Sequence, residues 1–85
     1  MKIMEFGYEI DRIINGLKIF KIYKQNPLII PKNNTNWLIE IQEEEFSSIT
    51  DDDIAALNSY GWIAETKIHW KMLSDQGLAK RYGND

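Results

Sequence analysis

The chain has 85 residues, of which 44% are hydrophobic, a formal net charge of −3 and no cysteine. That length supports one domain, residues 1–85, burying about 60 to 65% of its unfolded surface, and the lack of thiols excludes a disulfide scaffold and a thiolate zinc site. No apolar run reaches the roughly 18 residues of a membrane helix and no charged-then-apolar leader opens the sequence, so a soluble, cytoplasmic protein without membrane contact is expected.

Met1 to Ile14 leads into Asn15-Gly16, the dipeptide best suited to the positive φ angles of a two-residue type I′ turn. Pairing through that turn sets Ile14 opposite Leu17, Arg12 opposite Ile19, Ile10 opposite Lys21 and Tyr8 opposite Tyr23, and isoleucine richness favours strands. An N-terminal β-hairpin over residues 8–23 is therefore expected. The alternative is a helix, because Ile10, Ile13, Ile14, Leu17 and Phe20 also share one helical face. Against it stand Gly16 in the interior, at about 1 kcal/mol, and the β-branched isoleucines.

Pro27 and Pro31 bracket Leu28-Ile29-Ile30, which limits that segment to a short edge strand, since proline lacks a ladder donor. Lys32 to Asn36 reads as a polar turn; Asn33-Asn34-Thr35 matches a glycosylation acceptor but is explained as part of that loop. Trp37 to Gln42 alternates Trp37, Ile39 and Ile41 against Leu38, Glu40 and Gln42, a third main strand. Glu43 to Ser48 connects it onward, with Phe46 under the loop.

A helix over 50–60 follows. Thr50 is placed to accept a hydrogen bond from the Asp53 N–H, Ile49 and Ile54 occupy the staple positions, and Gly61 can close the helix in the left-handed conformation, with Trp62 contacting Leu57. Asp51, Asp52 and Asp53 fill the first turn, where the helix dipole favours each negative charge by roughly 0.3 to 1 kcal/mol at low salt. The acidic run thus has a structural explanation.

Beyond Gly61 the period becomes twofold, with Trp62, Ala64, Thr66, Ile68, Trp70 and Met72 on a dry side and Ile63, Glu65, Lys67, His69 and Lys71 on a wet one. One last strand over 62–72 is expected. Asp75 to Tyr82 has weak helical character, Gly83-Asn84-Asp85 reads as frayed, and residues 74–85 are expected to form a mobile tail. The whole reads as a small α+β domain: N-terminal hairpin, further antiparallel strands, and one helix packed on one sheet face.

Little chemistry is visible. Nucleophilic catalysis needs a nucleophile beside a base, yet the chain offers four serines and a single histidine, His69, read as an exposed strand residue whose protonated form Lys67 and Lys71 disfavour. Glu43, Glu44, Glu45 and the aspartates lack the spacing of a calcium loop, and no glycine-rich phosphate loop occurs. No enzyme, cofactor or metal is expected.

Charge is segregated: residues 40 to 53 carry seven acidic side chains and no basic one. Such a run can steer partners or imitate DNA phosphate. Nucleic-acid binding would draw on Lys67, His69 and Lys71, with Lys80 and Arg81, but Trp62 and Trp70 point to the opposite side and leave that stripe without stacking partners.

Thr50 to Met72, with its acidic first turn, Leu57-Asn58-Ser59-Tyr60-Gly61-Trp62 and second tryptophan at Trp70, resembles short accessory proteins of tailed bacteriophages. The resemblance implies a phage-encoded protein in a host cytoplasm, with no assigned activity and no site residue. The missing catalytic groups and the high aromatic content at small size point to a small non-enzymatic protein-binding or regulatory module, which the resemblance would set to act on a host protein. Self-association through an edge strand or an apolar sheet face is a companion expectation. The alternatives are nucleic-acid binding through the Lys67/His69/Lys71 face and an acidic DNA mimic over residues 40–53. Candidate partner-binding residues are Glu43, Glu44, Glu45, Glu65, Lys67, His69 and Lys71.

Overall fold

The computed structural model describes residues 6–83. Among these, the order is helix α1 (Glu9–Tyr23), strands β1 (Ile29–Pro31) and β2 (Trp37–Gln42), a 3₁₀ turn (Glu44–Ser48), helix α2 (Asp51–Ser59), strands β3 (Trp62–Thr66) and β4 (His69–Leu73), and helix α3 (Asp75–Tyr82). The strands form one antiparallel sheet in the order β1-β2-β4-β3. The α+β class is as expected, with three helices where one was foreseen.

The N-terminal hairpin is not present: residues 9–23 are helical. Asn15-Gly16 makes no turn, and among the described residues only Gly7 and Gly61 have positive φ. Gly16 serves a contact instead. A Cβ built on it would lie 2.1 Å from the Trp62 Nε1, and that same Nε1 donates to the Arg12 carbonyl at 2.9 Å. The residue that argued against a helix is the one that lets this helix approach β3. Met1 to Glu5, the start of the expected first strand, lie outside the described residues.

α2 follows its cap signals. Thr50 Oγ1 accepts from Asp53 N at 3.2 Å, and Gly61 takes φ 83° just beyond the helix. Ile49 and Ile54, the staple pair, both join the core. Trp37–Gln42 is the expected strand, and the short β1 pairs only with β2, at the sheet edge. Lys32 N donates to Leu38 O at 2.9 Å, which by antiparallel alternation turns Pro31 toward the free edge, where no donor is required of it.

The expected single strand 62–72 is a hairpin, β3 and β4, turning at Lys67-Ile68. From Thr66 opposite His69 to Ala64 opposite Trp70, β3 advances two residues while β4 advances one, so Glu65 is a bulge. This extra residue keeps even numbers facing even numbers, Trp62 against Met72 and Ala64 against Trp70. Alternation therefore runs unbroken through a turn that contains no Gly, Asn or Asp to announce it.

α1 and α2 cover one sheet face over a core of Phe20, Ile41, Phe46, Leu57, Trp62, Trp70 and Met72. Phe20 is its centre, with ring centroids 4.7 Å from Phe46, 5.0 Å from Trp62 and 5.7 Å from Trp70. α3 closes one end of the sheet. Ser74 caps it by accepting from Gly77 N at 3.0 Å while donating to Thr35 O at 2.6 Å, and Leu78 is buried. Arg12, fully buried on α1, binds this end together, donating to Leu73 O at 2.7 Å and to Asp75 at 2.8 Å. The foreseen tail is thus packed against the sheet as far as it is described; Asn84 and Asp85 lie outside the described residues.

Two substitutions test this packing by urea denaturation. Gly16→Ala should lower stability although alanine favours helix by about 1 kcal/mol, because the new methyl group has to displace the Trp62 ring, an overpacking cost of roughly 1 to 3 kcal/mol. A higher midpoint would show that α1 does not rest on Trp62. Trp62→Ala should cost about 3 to 5 kcal/mol, the range for emptying a buried aromatic site.

Candidate functional site

The sheet face opposite α1 and α2 carries the polar groups. Asn34 Oδ1 accepts from the backbone N–H groups of Asn36 and Trp37, at 2.8 and 3.0 Å, an Asx turn that starts β2. A bulge at Leu38, where Trp37 pairs with Leu73 but Ile39 with Met72, takes Trp37 out of the phase of Ile39 and Ile41. Its indole Nε1 donates to Glu40 Oε2 at 2.7 Å, and Lys71 Nζ stands 3.9 Å from its ring centroid. Lys71 also pairs with Glu65 at 3.0 Å.

Glu40 is the hub of this network. Its other oxygen, Oε1, lies 3.0 Å from His69 Nε2, and Lys32 Nζ lies 3.7 Å from Oε2. A carboxylate only accepts, so Nε2 carries the proton in this contact. Partial burial pushes the Glu40 carboxyl up, but the hydrogen bonds from His69 and Trp37, with the charge of Lys32, outweigh it and hold the group below its ordinary value of 4.5. His69 is accordingly not the exposed strand histidine of the sequence reading: it is half-buried and engaged.

Of the seven candidate residues, Glu65, His69 and Lys71 come together on this face, joined by Glu40 and Trp37. Lys67 is separated from them at the exposed hairpin turn. Glu43 is tied to the fold, its backbone N–H donating to Ile68 O at 3.1 Å and its carboxylate accepting from Leu28 N at 2.8 Å. Glu45 meets Lys24 at 3.5 Å across the surface, and Glu44 is exposed. Strict alternation had put Trp37 on the side opposite Glu40, and only the bulge reverses that.

The charges of this face are paired within it. Lys32, His69 and Lys71 each face a carboxylate, and three of the four serines spend their hydroxyls on backbone carbonyls: Ser48 on Glu45, Ser59 on Ala56, Ser74 on Thr35. Among the described residues no three His, Asp or Glu side chains gather where they could hold a metal. No described helix is long and apolar enough to cross a membrane.

A second surface lies on the outer side of α1. Ile10, Ile14, Leu17 and Lys21 follow one another at helical spacings of four, three and four, so they form one stripe. Ile10 is 61% and Ile14 44% exposed. The stripe continues over a groove of about 340 Å³, lined by Leu17, Lys21, Pro27 and Ile29, to the apolar edge strand β1. Ile22 on α1 and Leu28 just before β1 are exposed as well, whereas Ile30, opposite Glu40, is exposed on the other sheet face. No signal in the sequence separated these isoleucines from the core set, because the hairpin and helix readings both assigned them to an interior.

No family model, curated protein or solved structure matches the chain. Its own geometry is the basis for a functional reading.

The Glu40 network makes a pH-dependent prediction. A carboxyl held below its unfolded value contributes stability that is complete above that value and is lost as pH falls through the lowered folded value. Urea stability of the native chain should therefore drop more steeply than that of Glu40→Gln below about pH 4.5, and the two curves should run parallel at higher pH as far as Glu40 is concerned. Parallel curves throughout would contradict the network.

Proposed function

We propose that the chain is a small non-enzymatic protein-binding module that docks through the outer stripe of α1. The observation that carries this reading is the exposure of Ile10 and Ile14 on a helix whose other side is already seated in the core. A helix apolar on both sides is one that is covered on both sides. Isoleucine is a poor choice for a solvent-facing helix position on propensity alone, being β-branched, so burial in a complex is the physical reason to place it there. The four-three spacing of Ile10, Ile14 and Leu17 is that of anchors with which a helix enters an apolar groove or meets a second helix. Asp11 and Lys18 flank the stripe and make no ion pair among the described residues, leaving their charges for a partner. The resemblance of residues 50–72 to phage accessory proteins supports a host protein as that partner.

The rival readings draw less support. A polyanion laid on the polar sheet face would meet Glu40 and Glu65 beside each lysine. The seven carboxylates of residues 40–53 do not present one surface either: Glu40 belongs to the open face, Glu43 binds Leu28, and Asp53 accepts from the Tyr23 hydroxyl.

The test is affinity capture from native host lysate, with nuclease added, by the native chain and by Ile10→Asp/Ile14→Asp. Both positions are exposed, so the variant should keep its urea midpoint while losing the captured protein, at least tenfold in apparent affinity for the loss of two buried side chains at about 1.5 kcal/mol or more each. Undiminished capture by a folded variant would place the docking surface elsewhere. Capture abolished by nuclease alone would favour nucleic acid.

A further inference from the structure

The stripe on the outer side of α1 is self-complementary in charge. Asp11 follows Ile10 and Lys18 follows Leu17, so the two charges stand on the same flank of the stripe, seven residues apart. Both are exposed, and neither forms an ion pair among the described residues. Nor does either have an opposite charge three or four positions away on its own helix, the spacing at which such pairs meet.

This arrangement fits one occupant, a second copy of α1 running the other way. A two-fold axis perpendicular to a pair of helices reverses their direction but keeps each flank on its own side of the contact, so the flank of Asp11 and Lys18 meets the same flank of the other copy. With the axis at the level of Asn15, Ile14 packs beside Leu17 of the other copy, and Asp11 falls within one residue's rise, about 1.5 Å along the axis, of its Lys18. Symmetry makes each contact twice. A parallel pair sets this flank against the opposite one, and neither charge is then answered.

We propose that α1 docks on α1 of a second copy in this antiparallel register, forming a two-fold dimer in which Ile10, Ile14 and Leu17 are the apolar seam and Asp11 and Lys18 the ion pairs that set its direction. The inference rests on the reading of the stripe as a docking surface and names a further occupant for it. At a surface such ion pairs add little affinity and chiefly select the register. The 15 residues of α1 make a helix about 22 Å long, so the contact is smaller than the roughly 800 Å² per copy of a standard stable interface. The dimer is therefore weak and reversible: it covers the stripe at high concentration and leaves it open to a tighter-binding partner on dilution.

The experiment is sedimentation equilibrium of the full native chain, with no other protein present, from about 10 µM to about 1 mM. The mean mass should climb from one copy toward two across that range. Asp11→Lys and Lys18→Asp, at exposed positions, should keep the native urea midpoint and each weaken self-association about tenfold or more at low salt, since both symmetric contacts turn from attractive to repulsive. Mixed in equal amounts, the two variants should regain native association, because each contact again joins one acid and one base; the double variant Asp11→Lys/Lys18→Asp should pair as the native chain does. Ile10→Asp/Ile14→Asp should stay a single copy. A native chain that remains a single copy at the top of the range overturns the proposal, and this result decides it even if a variant fails to fold. Folded charge variants that pair undiminished, a mixture that associates no better than its components, or a folded Ile10→Asp/Ile14→Asp that still pairs overturn it as well. A monomeric native chain leaves capture of a partner from lysate unaffected, and a failed capture leaves the pairing standing.

Discussion

Trp62 rests against α1 at the one position where that helix has no side chain, and most of the tertiary structure follows from this seat. The indole meets the backbone at Gly16 and donates to the carbonyl of Arg12, one turn earlier. The side chain of Arg12 then leaves the same turn in the other direction, toward the end of β4 and the start of α3. One turn of helix thus fixes the distance between α1 and β3 and draws in the element that closes the sheet. One turn further on, Phe20 meets Phe46, Trp62 and Trp70. In a chain without disulfides and with little interior to spend, this concentration of aromatic contacts around one residue is the means by which a small core becomes a specific one.

That packing divides the surface into two kinds. The sheet face away from the helices is polar and satisfied within itself, with Glu40 holding Trp37, His69 and Lys32 and Glu65 holding Lys71. The outer side of α1 and the adjoining edge strand are apolar and unsatisfied. A self-contained charge network contributes shape and orientation more than attraction, whereas exposed isoleucines at helical spacing gain free energy when covered. The contrast is why the functional reading rests on the apolar stripe although the titratable residues lie elsewhere.

How much could be read beforehand depended on the range of the interactions involved. The α2 segment was legible because its cap, staple and left-handed glycine act within a few residues of one another. The strand at 37–42 and the dry faces of Trp62 and Trp70 were legible through their alternation, but the hairpin turn at Lys67-Ile68 was not, since the Glu65 bulge preserved that alternation across it. Of the polar face, Glu65, His69 and Lys71 were found by periodicity. Trp37 was missed because a second bulge, at Leu38, reverses the side on which it acts, and the hub role of Glu40 because only the pairing of β2 with β4 sets it beside His69 and Lys71.

By itself the sequence determined what local chemistry determines: the class of the domain, the limits of α2, the confinement of β1 to a short edge strand, and the entry of Phe46, Trp62 and Trp70 into a core. Tertiary structure alone decided the state of residues 9–23. Asn15-Gly16 is compatible with a tight turn and with a helix, the isoleucines fit the dry side of either, and propensity differences of about 1 kcal/mol tip the choice locally toward the turn. Burial of Trp62, fifty residues away from Arg12, supplies more than that difference, and only the absence of a Cβ at Gly16 makes its position possible.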